Sequence, residues 1–166
     1  MKPFWVILLA LICTSAIAEQ TNIAADSFQK LKTLVGDWNK EGSDGETFYI
    51  SFHLSANGSV LVENWVYKGA SHSMTMYHLD GENLLATHYC PQGNQPRLKL
   101  KSSGNINAPS FEFLDATNLD SLQANHQNWL EFEFIDENTI SRSESYIKSD
   151  KSTHSKIRLS RRSIQE

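Results

Sequence analysis

Regularly spaced glycines constrain the fold of this chain more than any other feature. Six of them recur at intervals of eleven to thirteen residues: Gly45, Gly58, Gly69, Gly81, Gly93 and Gly104. That interval is typical of strands of about eight residues joined by tight turns. Between the glycines, apolar and polar residues alternate, as in residues 47–54, which is the period of a strand with one buried face. The pattern therefore predicts a long antiparallel meander.

The later part of the chain continues the strand pattern. Further runs of strand character cover residues 97–102, 110–114, 128–135, 139–147 and 153–162. Counting from Trp38 gives roughly nine or ten strands in sequential order, and a meander of that length packs as two sheets or closes on itself. Closure also removes the exposed edges, so we predict an all-β, up-and-down antiparallel barrel. The dipeptide Asn57-Gly58 predicts a two-residue hairpin turn within it.

A single short helix is predicted ahead of the strands. Asp26 or Ser27 can cap its start, and Gly36 ends it. Its apolar residues recur at helical spacing: Phe28, Leu31, Leu34 and Val35. We expect this apolar stripe to cover one end of the barrel, leaving a lumen wide enough for a small ligand.

The first eighteen residues have the pattern of a secretory signal peptide. Lys2 precedes an apolar run over residues 4–12, and small residues lead up to Ala18. The apolar run is too short for a membrane span. Cleavage near Ala18 would deliver one barrel domain, residues 19–166, to the periplasm or the exterior. Cys90 would then have no disulfide partner, and would be either a buried small hydrophobe or a thiol kept for a purpose.

The charge of the chain argues against nucleic acid as a partner. Its formal net charge is −4 at pH 7, which offers no general attraction for phosphates. Basic residues gather near the C-terminus, where they alternate with Ser and Thr: Arg142, Lys148, Lys151, Lys156, Arg158, Arg161 and Arg162. We interpret them as the outward faces of solvated strands.

Residues 74–97 hold most of the chemically versatile side chains. Pairing this hairpin across residues 80–83 places Thr75 opposite His88 and Tyr77 opposite Ala86. We take the face that carries His88 and Cys90 to point inward. The candidate ligand-binding residues are Tyr77, His88, Cys90, Asn94, Gln95, Arg97 and His126.

The candidates allow more than one chemistry. His88 and Cys90 could form a thiolate–imidazolium pair or supply two metal ligands, or they could be an ordinary core histidine and a buried thiol. A structural zinc site needs four ligands, and only scattered histidines remain to complete one: His72, His78 and His126. In the loop over residues 91–97, prolines could hold Asn94, Gln95 and Arg97 as a preformed set of donors, with Arg97 suited to a carboxylate. Alternatively, the two amides satisfy their own loop backbone.

The segment Gly36-Asp37-Trp38 resembles the start of the first strand in the calycin superfamily of lipocalin-like barrels. The resemblance implies that Trp38 packs across the barrel floor under a basic side chain from the last strand, for which Arg158 or Arg161 is the counterpart. Residues 87–90 (THYC) and 93–97 (GNQPR) resemble a group of small exported bacterial proteins. Together these resemblances imply a barrel with a polar pocket, and they imply no activity.

We therefore predict an exported module that binds an amphipathic or acidic small molecule in the barrel lumen. No residue is assigned a catalytic role and no cofactor is required. One alternative is an enzyme in which His88 acts as acid or base, assisted by Tyr77 or Cys90. Others are a haem or divalent-metal site and a lumen filled by side chains. No membrane span is expected in residues 19–166.

Overall fold

A computed structural model describes residues 22–102 and 105–163. The predicted signal peptide, residues 1–18, lies outside these ranges. The described chain has one α-helix, α1 (Ile23–Lys32), and ten β-strands. The strands are β1 (Gly36–Lys40), β2 (Phe48–Ser55), β3 (Val60–Tyr67), β4 (Ala70–Asp80), β5 (Asn83–Tyr89), β6 (Gln95–Leu100), β7 (Ser110–Thr117), β8 (His126–Phe134), β9 (Thr139–Lys148) and β10 (Lys151–Arg161).

Each strand pairs antiparallel with the next strand in the sequence, and β1 pairs with β10 to close the barrel. The predicted all-β, up-and-down barrel with a single N-terminal helix is confirmed. In such a barrel the turns alternate between its two ends. The β2–β3, β4–β5 and β8–β9 turns therefore share one end, and the β3–β4, β5–β6, β7–β8 and β9–β10 turns share the other.

The register of the central hairpin, β4 and β5, agrees with the sequence prediction. Thr75 pairs with His88, and Tyr77 pairs with Ala86. All four side chains are buried in the interior. Because side chains alternate between the two faces of a strand, this register fixes which residues of both strands point inward.

The helix covers the first of the two ends. It begins earlier than predicted, since Asn22, rather than Asp26 or Ser27, is its N-cap. The Asn22 side chain accepts hydrogen bonds from the backbone N–H groups of Ala24 and Ala25, at 3.1 and 3.2 Å. Asparagine is among the best N-cap residues, so the extra turn of helix has a clear local cause.

Trp38 completes the closure of that end. Its ring is buried, and its Nε1 donates a hydrogen bond of 2.7 Å to the carbonyl of Leu34. The guanidinium of Arg161 lies 4.4 Å from the ring centre and donates to the carbonyls of Thr33 and Val35, each at 2.8 Å. Of the two basic residues considered above, Arg161 therefore makes the contact, and Arg158 is exposed.

The interior beside α1 is filled by apolar and aromatic side chains, including Phe52, Phe111 and Phe132. One turn also differs from its prediction: Ser55 pairs with Val60, so the loop between β2 and β3 comprises residues 56–59 rather than Asn57 and Gly58 alone. Ala56, Asn57 and Gly58 all have positive φ there. Within the described ranges, no helix has the length and apolarity needed to cross a bilayer.

Candidate functional site

A cavity of about 280 Å³ lies at the end of the barrel opposite α1. It is lined by residues of β3, β4, β5 and β9 and of the β5–β6 turn: Trp65, His72, Ser73, His88, Cys90, Pro91, Gln92, Glu144 and Tyr146. Both aromatic and polar groups therefore reach it. Two larger depressions, of about 910 and 600 Å³, border Arg161 near the closed end. All three are partly open to solvent, and the two larger ones lie away from the buried polar residues described below.

Beside the cavity, Arg142 is enclosed in the barrel between two carboxylates. Its Nε lies 2.7 Å from Oε1 of Glu63, and its Nη1 lies 2.8 Å from Oε2 of Glu144. The Nε–H is not aligned with the Glu63 oxygen, so that contact is an ion pair without good hydrogen-bond geometry. The Arg142 and Glu63 side chains are fully buried, and that of Glu144 is 13% exposed.

Further hydrogen bonds hold the carboxylates in place. Glu63 accepts from Trp65 Nε1, at 2.5 Å, and from the hydroxyl of Tyr77. Glu144 accepts from Nε2 of Gln127, at 2.8 Å. A buried ion pair is favourable only when such bonds satisfy its remaining lone pairs. The network therefore fixes Glu144, the charged residue of the cavity wall.

The charges in this network are interdependent. Burial by itself lowers the pKa of Arg142, but the nearby Glu63 and Glu144 carboxylates outweigh it, and the pKa is raised. Burial raises the pKa of Glu144, but Arg142 outweighs that effect, and the pKa lies below its usual value. Two carboxylates facing one guanidinium have a formal charge of −1. The interior next to the cavity is thus anionic.

His88 is held between two hydroxyl groups. Its Nδ1 lies 3.0 Å from Oγ1 of Thr75, and its Nε2 lies 3.2 Å from the hydroxyl of Tyr146. Burial, followed by the positive charge of Arg142, lowers the pKa of His88 to about 4. The imidazole is therefore neutral at physiological pH, with one ring nitrogen donating and the other accepting.

The depressed pKa of His88 predicts a pH dependence of stability. Between about pH 4 and the usual histidine pKa of 6.5, the unfolded chain binds a proton that the folded chain does not. The free energy of unfolding should fall as pH decreases through this window, by up to about 3 kcal/mol. Urea denaturation from pH 4 to 7 would measure the slope. The variant His88→Gln should flatten it, whereas His53→Gln, at an exposed position, should not. An unchanged slope in His88→Gln would assign the dependence to other groups.

The structure brings three of the seven predicted site residues to this region. His88 and Cys90 line the cavity, and Tyr77 lies in the adjoining buried network. Cys90 is a free thiol, and burial raises its pKa. A thiol with a raised pKa is a poor nucleophile, which argues against the thiolate–imidazolium pair.

The amides of the β5–β6 turn have structural partners instead. Nδ2 of Asn94 donates to the carbonyl of Asn125, at 2.8 Å. Nε2 of Gln95 donates to the carbonyl of Gly93 at 2.9 Å, and Oε1 of Gln95 accepts from Thr117 at 2.7 Å. The Gln95–Gly93 bond agrees with the alternative in which the amides satisfy their own loop backbone, whereas Asn94 bonds instead to the β7–β8 turn.

Arg97 and His126 lie away from the cavity. Arg97 is on the outer face of β6, where it pairs with Asp115, and the two side chains are 44% and 47% exposed. His126 is buried, with Nδ1 2.7 Å from the carbonyl of Ala124 and its ring 4.8 Å from that of Phe113. Neither residue lines the cavity.

The sequence interpretation missed the charged residues of the interior. Arg142 was assigned to an outward face, and this is wrong, because its side chain is fully buried. A signal for it exists in the alternation of β9, where Ile140, Arg142, Glu144 and Tyr146 share one face. In β3, Glu63 likewise lies between Leu61 and Trp65 on one face. Opposite charges on the inward faces of two strands predict a buried ion pair.

Across residues 22–102 and 105–163, no three His, Cys, Asp or Glu side chains are grouped so that they could hold a metal ion. Comparison of the chain with models of protein families finds no match, and comparison with curated proteins finds no significant similarity.

Proposed function

We propose that this protein is an exported binding protein that holds a small molecule in the cavity lined by His88, Cys90, Glu144 and Tyr146. One observation carries the proposal: a barrel packed with side chains at its helix end has a cavity of about 280 Å³ at the other, lined by polar and aromatic groups. Concave sites with an apolar wall and a few fixed polar groups are where proteins bind small ligands.

The calycin assignment and export belong to the same proposal. The contact of Arg161 with the Trp38 ring supports a calycin-type barrel, since the resemblance implied such a pair. Export depends on the signal-peptide pattern of residues 1–18. The mass of the mature protein purified from its source would test it, with Glu19 as the expected first residue.

Binding fits the site better than acid–base catalysis by His88. A catalytic acid or base works best with a pKa near the operating pH. The pKa of His88 is about 4, and burial, followed by the charge of Glu144, raises the pKa of its neighbour Tyr146. Both ring nitrogens of His88 are also within hydrogen-bond distance of hydroxyl groups. The imidazole is thus suited to orienting Tyr146, a residue of the cavity wall.

The size of the cavity limits the ligand. At 280 Å³ it is just below the range of about 300–1,000 Å³ that is usual for ligand pockets. A single aromatic ring with one substituent, or a short aliphatic chain, is of suitable size. The cavity is partly open to solvent, so a macrocycle as large as haem would extend beyond it.

A thermal-shift screen of small acids, amines, alcohols and haem tests the proposal. A ligand of the cavity should raise the melting temperature and slow alkylation of Cys90, because that thiol lies in the cavity wall. The variant Ser73→Trp places a large ring at the wall and should abolish both effects. If no compound in a broad screen stabilises the protein or protects Cys90, binding is not its function.

A further inference from the structure

We propose that the ligand of this cavity is a small organic cation, an amine or ammonium compound with an apolar body. This inference rests on the proposed function and names the class of its ligand. It replaces the acidic ligand expected from the sequence. That expectation depended on Arg97, which pairs with Asp115 on the outside of the barrel.

The charge around the cavity favours a cation. Among the described residues, Glu144 is the only carboxylate in its wall, and no lysine or arginine lines it. The buried guanidinium of Arg142 is shared between two carboxylates, so the adjoining network keeps a net negative charge. A cationic ligand would compensate that charge, whereas an anion would meet the Glu144 carboxylate without a counter-ion.

One oxygen of Glu144 can accept a further hydrogen bond. Its Oε2 accepts from both Arg142 and Gln127, each at 2.8 Å. Within the part of the chain that the structure describes, its Oε1 has only a long contact of 3.4 Å with the hydroxyl of Ser155. A carboxylate oxygen has two lone pairs, so Oε1 can accept a strong hydrogen bond from an N–H donor of a ligand.

Aromatic rings in the cavity wall also favour a cation. Trp65 and Tyr146 both line the cavity, and rings of this kind attract cations to their faces. Trp65 already makes one cation–π contact within the barrel, since the guanidinium carbon of Arg142 lies 4.8 Å from its ring centre. A carboxylate beside aromatic rings is a combination that recognises ammonium groups.

One feature of Arg142 would favour an anionic ligand instead. Nη2 of Arg142 is buried and has no hydrogen-bond partner among the described residues, and a free donor would suit an anion. However, Arg142 does not line the cavity, and its side chain is fully enclosed. A ligand in the cavity would contact Glu144 and not Arg142. The carboxylate of Glu144 therefore determines the preference between a cationic and an anionic ligand.

Three probes of similar shape and different charge test the inference: benzylammonium, benzyl alcohol and benzoate. Their dissociation constants would be measured by NMR titration of the purified protein at pH 7. We expect benzylammonium to bind at least about tenfold more tightly than benzyl alcohol, and benzoate to bind most weakly. Tighter binding of benzyl alcohol or benzoate would overturn the cation inference and leave the proposed function intact. If none of them binds and the wider screen is also negative, both proposals fail.

Three substitutions identify the source of the preference, which is measured as the dissociation constant of benzyl alcohol divided by that of benzylammonium. Glu144→Gln removes the carboxylate charge and should bring the ratio close to one. Ser73→Lys adds a positive charge at the wall and should do the same, while Ser73→Met, of similar length, should keep the wild-type ratio. If Glu144→Gln does not fold, the two Ser73 variants decide the question. A ratio unaffected by Ser73→Lys would overturn the inference.

Discussion

Replacement of Arg142 by methionine is expected to lower the free energy of unfolding by about 3–5 kcal/mol, the cost of breaking a buried ion pair by removing one partner. The guanidinium lies between Glu63 and Glu144, and Glu63 is fully buried. Without it, two carboxylates face each other in the interior with no counter-charge. Methionine fills much of the space, so the loss would come mainly from charge. Urea denaturation at pH 7 measures it.

The matched control is Arg97→Met, which makes the same chemical change on an outer face. Arg97 pairs with Asp115, but both side chains are more than two-fifths exposed. Exposed ion pairs contribute about 0–1 kcal/mol, so this variant should remain close to wild type. The pH dependence provides a second test. In Arg142→Met, acid should protonate the carboxylates that have lost their counter-charge, and the loss of free energy of unfolding relative to wild type should then become smaller. Equal effects of the two substitutions, or a deficit independent of pH, would contradict the electrostatic account.

The barrel could be predicted from the sequence because its signals are local. The turn over residues 80–83 fixes the register of β4 and β5, and strict alternation then determines that Thr75, Tyr77 and His88 point inward. The same logic gives the number of strands, since each tight turn must reverse the chain. The N-cap was missed by one turn because several residues in this segment can cap a helix, and the prediction started from Asp26 and Ser27 although Asn22 is an equally good cap.

The site was predictable only in part, because its charges depend on pairing between distant strands. Taken alone, the segment Ser141–Ser145 has the composition of a solvated strand. Arg142 is buried between Glu144, two residues along the same strand, and Glu63, which is far away in the sequence and faces the same interior. Arg97 shows the converse, since its place beside prolines and amides suggested a pocket, yet the register of β6 and β7 pairs it with Asp115 outside. Charge pairing across a barrel therefore decides between inside and outside where composition cannot.

A comparable loss of stability is expected at the opposite end of the barrel. The substitution Trp38→Ala should lower the free energy of unfolding by about 3–5 kcal/mol, as for other buried aromatic residues truncated to alanine. The ring is almost completely buried, its Nε1 satisfies the carbonyl of Leu34, and Arg161 lies over its face. Removal leaves a space between α1 and the barrel, and the carbonyl of Leu34 loses its hydrogen-bond donor. Denaturation by urea at pH 7 measures the change.

Two controls separate the causes of this loss. Trp38→Phe keeps a ring and removes the N–H, so it should cost only about 1 kcal/mol beyond the change in packing. Trp129→Ala truncates a half-buried ring on the outer face of β8 and should cost clearly less than Trp38→Ala. Under conditions where Trp38→Ala is still folded, cavity ligands should bind as they do to wild type, because the cavity is at the other end. Loss of binding in this folded variant would contradict this expectation and would show that the closed end of the barrel and the cavity are coupled.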